Sequence, residues 1–335
     1  MYKIFQYIYK SHLNKRFVEI RGVLGITAVL FLLCIFFALV EPRFSRLSNL
    51  ANVLRLSAIL SLVAYGQSVV LLSGGIDLSI GSIAAVVSVL TAMAARSIGI
   101  VPGFMVGTTA GAVLGFVNGI FIGVLRLPAF IATFGMLVYA EGIANLISRG
   151  APIEFMPEGF DTLGSGHIGT IPIPILISLL VFIFVHLLLT RTHFGRYIYA
   201  IGCNDKAAWL SGINIKKFRM LAYTFSGLLA GLAAVVLTSR INSGQANLAP
   251  SLPFDAIAAA AVGGLSMYGG EGKSYQPVLG ALIITVTNNG LNLMNISSYI
   301  QMMVIGGVIL AAVSIDNVRR SGQMKAMLNR IMSSK

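Results

Sequence analysis

The chain has 335 residues, of which 56% are hydrophobic and 10% charged, with a mean hydropathy of +0.86. Soluble domains carry roughly 25% charged residues, so this composition excludes a soluble enzyme or binding module and marks an integral membrane protein. The net charge of +13 arises from 24 Lys and Arg against 11 Asp and Glu, and its placement decides its meaning. Lys3, Lys10, Lys15, Arg16 and Arg21 precede the first apolar run. Arg191, Arg196, Lys206, Lys216, Lys217 and Arg219 share one loop, and Arg319, Arg320, Lys325, Arg330 and Lys335 lie at the end. Membrane proteins gather Lys and Arg on cytoplasmic loops. The pattern therefore predicts cytoplasmic termini and a cytoplasmic 190–219 loop, with membrane lipid as the surrounding phase and no nucleic-acid partner.

Apolar windows of the length that spans a bilayer recur at 22–40, 55–72, 78–95, 101–124, 129–148, 172–190, 217–239, 254–269, 277–294 and 299–316. The expected fold is all-α and polytopic, with about ten transmembrane helices. It divides into a cytoplasmic segment 1–21, a transmembrane domain 22–316 and a basic cytoplasmic tail 317–335. An even number of crossings returns the chain to its starting side, which agrees with basic residues at both ends. The first run lacks an A-x-A-like cleavage site and reads as a retained helix. Cys34 and Cys203 are too few for a disulfide framework and read as free thiols.

Residues 69–90, VVLLSGGIDLSIGSIAAVVSVL, set a carboxylate between two apolar runs. Gly74 and Gly75 weaken a helix, while Asp77, Ser79 and Ser82 suit the start of the next, so a helix break is expected from Ser73 onward. Asp77 then either caps the new helix by accepting backbone N–H bonds or couples proton or cation movement. Glycines at 107, 111, 115, 119 and 123 fall on one helix face. They serve close helix packing, or Asn118 and Gly119 line a path for a polar solute. The 149–171 connection holds Glu154, Glu158 and Asp161 with a single Arg149, as expected of an outer loop.

The loop FGRYIYAIGCNDKAAWLSGINIKKFR contains a short helix, with Asn204 or Asp205 as N-cap, residues 206–211 as its two turns and Gly212 as its stop. So short a helix needs packing against its own membrane domain or a partner. It reads as a connector or a docking surface, in which Ala207 and Ala208 offer no large anchors. The window 254–269 is short and alanine-rich, and either crosses or re-enters. Asn118, Asn288, Asn289 and Asn292 suit a neutral hydroxylated solute. The chain has no G-x-x-x-x-G-K-[ST] loop, no His/Cys metal spacing and no soluble domain large enough for a nucleotide. No catalytic residue, metal or cofactor is assigned to it, and its energy must come from a partner or an ion gradient.

LLSGGIDLSIGSIAA, GRYIYAIGCNDKAAWLSGINIKKFR, FDAIAAAAVGG and NNGLNLMNISSYIQ, in this order and spacing, resemble the membrane permease subunit of bacterial ABC importers of the ribose/galactose sugar class. The likeness runs from about residue 40 to 317. It implies an inner-membrane transport subunit, not an enzyme, paired with a second permease copy, a periplasmic substrate-binding protein and a cytosolic ATPase that uses ATP and Mg. It also assigns the coupling loop 191–216, with Gly202, Asn204, Asp205, Ala207, Ala208, Trp209, Ser211 and Gly212 seated on that ATPase. Ser73, Gly74, Gly75, Asp77, Ser79, Asn118, Asn288 and Asn289 are the candidates for the helix break and translocation path. This chain departs from the family in Cys203, where a glycine is usual, in Trp209, where a smaller or aliphatic side chain is usual, and in KSYQP after Gly272. An ion-coupled secondary carrier using Asp77 and a gated channel are the rival readings. Permeases for nucleosides or branched-chain amino acids share the layout.

Overall fold

The computed structural model describes residues 23–333, with side chains described to Val318. The expected segment 1–21 and the side chains of the basic tail lie outside the described residues. Twelve helices follow in order: α1 Val23–Val40, α2 Leu47–Leu72, α3 Ile80–Ile98, α4 Ile100–Gly119, α5 Ala129–Ser148, α6 Ile173–Arg191, α7 His193–Cys203, α8 Asp205–Leu210, α9 Ile215–Ile241, α10 Leu252–Val262, α11 Gln276–Leu293 and α12 Ser298–Ser333. Single helical turns at Pro42–Ser45 and Thr162–Ser165, a π-turn at Ile120–Val124 and a two-residue hairpin pairing His167–Ile168 with Ile171–Pro172 complete the described elements. The chain is thus all-α and polytopic, and among the described residues eight helices are long and apolar enough to cross a membrane.

Two of the predicted boundaries move. Helix α2 starts at Leu47, well before residue 55, because Asn49, Asn52 and Arg55 interrupt its apolar run without interrupting its helix. Helix α12 continues through the expected tail boundary to Ser333. The 254–269 window holds only α10, whose 11 residues rise about 16 Å, half of a roughly 30 Å hydrocarbon layer.

Helix α2 spans the fold and locates its neighbours. Near its start, the Asn49 and Asn289 side-chain amides pair at 2.9 Å, and Asn52 accepts from Arg240 at 2.9 Å. At its end, the Leu72 carbonyl accepts from the Gly270 backbone N–H at 3.0 Å. The 263–275 loop and the α7–α8 segment therefore share one end of the bundle, and residues 149–171, 242–244 and 294–297 lie at the other. An irregular lead at 243–251 enters beside α3. The Gln245 N–H donates to Ser88 Oγ at 3.0 Å, while a Cβ on Gly81, two helical turns further in, would lie 3.1 Å from the Ala249 carbonyl. Lead and half-length helix together carry the chain across the bundle.

Helices α2, α3 and α9 form the interior. The best apolar window of α2 is 83% buried and that of α9 61%, against 6% for α1 and none for α12. The outer helices turn apolar side chains such as Phe31, Met105, Leu180 and Leu310 outward, as contact with lipid requires. Helix α4 joins the interior through its glycines. A Cβ on Gly111, Gly119 or Gly123 would come within 2.6 Å of the carbonyl of Gly227, Met220 or Lys216 respectively. All three carbonyls belong to α9, so the stripe lets the two backbones meet directly and gain dispersion contacts. Gly111→Ala is expected to cost about 1–3 kcal/mol through overpacking and to lower the melting temperature in detergent. Gly306→Ala on α12, whose Cβ would meet nothing within 4 Å, should not lower it; equal melting temperatures would contradict the close packing.

Candidate functional site

The interior helices break where the sequence places Gly74 and Gly75. Helix α2 ends at Leu72, Gly74 takes φ +78°, and α3 begins only at Ile80. The intervening residues climb back into the bundle. A Cβ on Gly66 would lie 3.0 Å from Ser226 Cα, and Ser226 Oγ donates to Asp77 Oδ2 at 2.9 Å. Asp77 is therefore level with Gly66, about 9 Å along α2 from Leu72.

Asp77 is fully buried. Its Oδ1 accepts from the Ser79 N–H at 3.0 Å and from Ser79 Oγ at 2.6 Å. Asn118 of α4 donates through Nδ2 to Ser79 Oγ at 2.8 Å, and the Tyr223 hydroxyl of α9 donates to the Ile76 carbonyl at 3.2 Å. The N-cap position of α3 belongs to Ser79, so Asp77 acts one step earlier than expected. It closes an Asx turn that fixes Ser79 and ties the break to α4 and α9. The bonds engage both carboxylate oxygens, which is how a buried charge is kept.

At the adjoining end of the bundle, α7 is capped by Thr192, whose hydroxyl accepts from the Gly195 N–H at 3.4 Å. Asn204 Oδ1 accepts from the Ala207 N–H at 3.0 Å, so Asn204 is the N-cap of α8 and Asp205 its first residue. The helix stops where Gly212 takes φ +81°; its N–H donates to the Trp209 carbonyl at 2.9 Å and that of Ile213 to Ala208 at 3.1 Å. Asp205 pairs with Arg219 of α9 at 2.6 Å. Ala208 is buried against its own chain, whereas Trp209 and Leu210 are 68% and 77% exposed. The expectation of a small-residue docking surface fails for Ala208, which seats α8 on the membrane domain, while Ala207 is exposed beside Trp209 and Leu210, the large outward groups.

Gly202 faces inward as well. A Cβ there would lie 2.5 Å from the Gly270 nitrogen, and one on Gly269 would lie 2.9 Å from Gly74 Cα. Four glycines, from the α2–α3 break, the 263–275 loop and the last turn of α7, meet at the end of α2, and Gly270 closes the knot through its bond to the Leu72 carbonyl. Nearby, the Tyr199 hydroxyl donates to the Gly272 carbonyl at 2.8 Å; burial pushes this phenol up to about 12, so it stays a donor at any ordinary pH.

The structure brings the start of the helix break, but not the rest of the expected path, beside the 204–212 segment. A cavity of about 980 Å³ is lined by Ser73, Gly74 and Gly75 of the break, by Asp205, Trp209 and Gly212 of the α8 segment, and by Arg126, Lys206 and Tyr223. Ser211 is exposed at the end of α8, its hydroxyl donating to the Ala207 carbonyl at 2.9 Å. Asp77, Ser79 and Asn118 lie behind the cavity in the packed interior and line no open path. Asn289 is elsewhere: its partner Asn49 stands 17 residues before Gly66 on α2, about 25 Å away, and Asn288 is its neighbour. Asn292 lies further along the same helix, toward that end.

The sequence missed Ser226, Tyr223, Gly269 and Gly270. The signal for the first two was the polar cluster of Tyr223, Thr224 and Ser226 in the apolar run of α9. Asp77→Asn should keep most of the stability, since an amide still accepts from Ser79 and the Ser226 hydroxyl can turn from donor to acceptor. Asp77→Ala should lose about 1–3 kcal/mol for each buried group left unpaired. Thermal unfolding separates the two, and an equal loss would assign the break to the charge instead of the acceptor geometry.

Comparison with known proteins bears on this arrangement. Residues 49–313 match the family model described as branched-chain amino acid transport system / permease component. The chain is 41% identical over 290 residues to the ribose import permease protein RbsC of Bacillus subtilis (strain 168), covering 86% of this chain and 90% of that one. It is 38% identical over 288 residues to RbsC of Escherichia coli (strain K12), covering 84% and 89%. The D-allose transport system permease protein AlsC of Escherichia coli (strain K12) is 34% identical over 299 residues, covering 89% and 91%. No solved structure matches the chain. The chain therefore belongs to this family of transport permeases, as a polytopic subunit of an ABC importer in the bacterial inner membrane and not an enzyme.

Proposed function

We propose that the chain forms the translocation path of an ATP-driven importer for a sugar, delivered by a periplasmic binding protein and moved by a cytosolic ATPase that uses ATP and Mg. A second permease copy completes the path. The observation that carries this reading is the likeness to ribose import permeases along more than four-fifths of the chain. The geometry supports it through the coupling segment. Helix α8 is held by Ala208 and the Asp205–Arg219 pair, presents Trp209 and Leu210 outward, and adjoins the glycine knot that fixes the start of the α2–α3 break. An ion-coupled carrier would need Asp77 to exchange a proton with water, yet its oxygens are engaged and it has no exposed surface.

In this reading the bundle end carrying 191–219 is cytoplasmic and the 149–171 end periplasmic, with the lead and α10 counted as one of ten crossings. A cysteine at Ser165, in a chain lacking Cys34 and Cys203, should be labelled by an impermeant thiol reagent added from outside. Labelling only after permeabilisation would invert the topology.

The purified complex in liposomes should take up labelled D-ribose, or a related monosaccharide, on addition of ATP. Uptake of leucine or a nucleoside without any sugar would refute the sugar assignment. Trp209→Asp should release the ATPase subunit on gel filtration while the permease stays folded. Ala208→Glu should instead unseat α8 from its own chain, costing about 1–3 kcal/mol, which thermal unfolding would register before any partner is added.

A further inference from the structure

Helix α5 packs inward through Ala132, Met136, Ala140 and Ala144, the last three in one cluster with Val86 and Val89 of α3. Its opposite side carries Phe134, Val138, Glu141 and Asn145, at spacings of four, three and four that form one stripe, and all are exposed. Glu141 lies about 18 Å along the helix from Ala129 and about 10 Å from Ser148, well inside a hydrocarbon layer of roughly 30 Å. Among the described residues its carboxylate is in no ion pair. An unpaired carboxylate facing lipid tails is among the costliest placements in a membrane. Lys and Arg escape by snorkelling on long stems; a glutamate at this depth is too short.

The glycines of α5 point the same way. Glycine weakens a helix, and those of α4 are explained by the backbone contacts that a Cβ would obstruct. Gly135 and Gly142 flank the Glu141 stripe, and a Cβ on either would meet nothing within 4 Å. Among the described residues nothing uses the room they leave. Toward the start of the helix, the exposed rings of Phe130 and Phe134 stack with centroids 6.1 Å apart and planes 7° from parallel.

We propose that this stripe of α5 is a wall of the water-filled solute route, facing a second copy of this chain, with Glu141 the specificity-determining residue for a polyhydroxylated solute. A carboxylate is an acceptor with two oxygens and takes charge-assisted bonds from adjacent hydroxyls. The space over Gly142 admits a ring beside the helix backbone, and the Phe pair offers a flat apolar surface to its C–H face. The solute class rests on the sugar-importer reading above; the hydration of the stripe does not.

The test uses the assembled importer in liposomes, with Cys34 and Cys203 replaced. Single cysteines at Val138, Glu141 and Asn145 are treated with a charged methanethiosulfonate and compared with cysteines at Leu180, Phe184 and Leu187 on the exposed side of α6. The α5 positions should react about tenfold faster or more, because the reagent needs thiolate and an apolar surround suppresses it. Glu141→Ala should lower D-ribose uptake about tenfold, the scale of one lost hydrogen bond to a charged group, and Glu141→Gln, which still accepts through Oε1, by less. Reaction as slow as on α6, cross-linking between copies without such reaction, or wild-type uptake by Glu141→Ala would overturn the proposal. If the wild-type complex takes up no sugar, the importer reading fails on its own, and the cysteine rates still decide whether α5 is wet.

Discussion

In a lipid layer a backbone N–H or C=O has no water to turn to, so a helix that stops inside the layer must find partners for its open ends. This fold accepts that burden where α2 gives way to α3, and much of its interior is arranged to meet it. Asp77 supplies an acceptor for the Ser79 N–H, Tyr223 supplies a donor for the Ile76 carbonyl, and Gly270 caps the Leu72 carbonyl. Those three groups come from the break itself, from α9 and from the 263–275 loop. Removing any one of them leaves a backbone group of the break without its partner. The break therefore determines where α9 and the glycine-rich loop must sit, and α9 in turn determines α4 through the glycine stripe.

The same need shapes the second irregular crossing. Residues 243–251 lack a helical ladder, and the lead is held by Ser88 and by a short bridge between Ile153 and Gly244. Both supports belong to other elements, an α3 hydroxyl and the outer loop. The two irregular stretches lie side by side, since Gly81 at the start of α3 touches Ala249 and Pro253. Irregular backbone at membrane depth is tolerated where protein surrounds it, and pairing the two stretches provides that enclosure.

Hydropathy made the helices legible because lipid exposure demands apolar runs of fixed length, and each expected window does contain a helix. It misplaced the start of α2 because Asn49, Asn52 and Arg55 find partners at the bundle end, which a running average cannot register. The caps of α8 were legible for a local reason: Asn204 and Gly212 act on residues two to four positions away. The orientation of α8 was not, since six residues are too few to display a period, and Ala208 is distinguished from Ala207 only by what it packs against. Ser226, Gly270 and Asn289 act through partners 149, 198 and 240 residues distant, and nothing in their own neighbourhoods announces that. Asp77 was conspicuous as an acid in an apolar stretch, but its neighbours showed only one of its two anchoring serines.

Helix α2 is 26 residues long, about 39 Å, and is fastened at both extremities: to Asn289, Arg240 and His167 at one, and to the glycine knot at the other. A rod fixed in this way acts as a lever. A tilt of about 5° would carry one extremity some 3 Å relative to the other over that length, enough to exchange a set of hydrogen-bond partners. The interhelical bonds at the outer extremity run between side chains, which can re-form one by one. The inner attachment is backbone against backbone and has no such latitude. Displacement imposed on α7 and α8 would thus arrive at the opposite face of the bundle as a swing of Asn49 and its neighbours, with little lost to bending on the way.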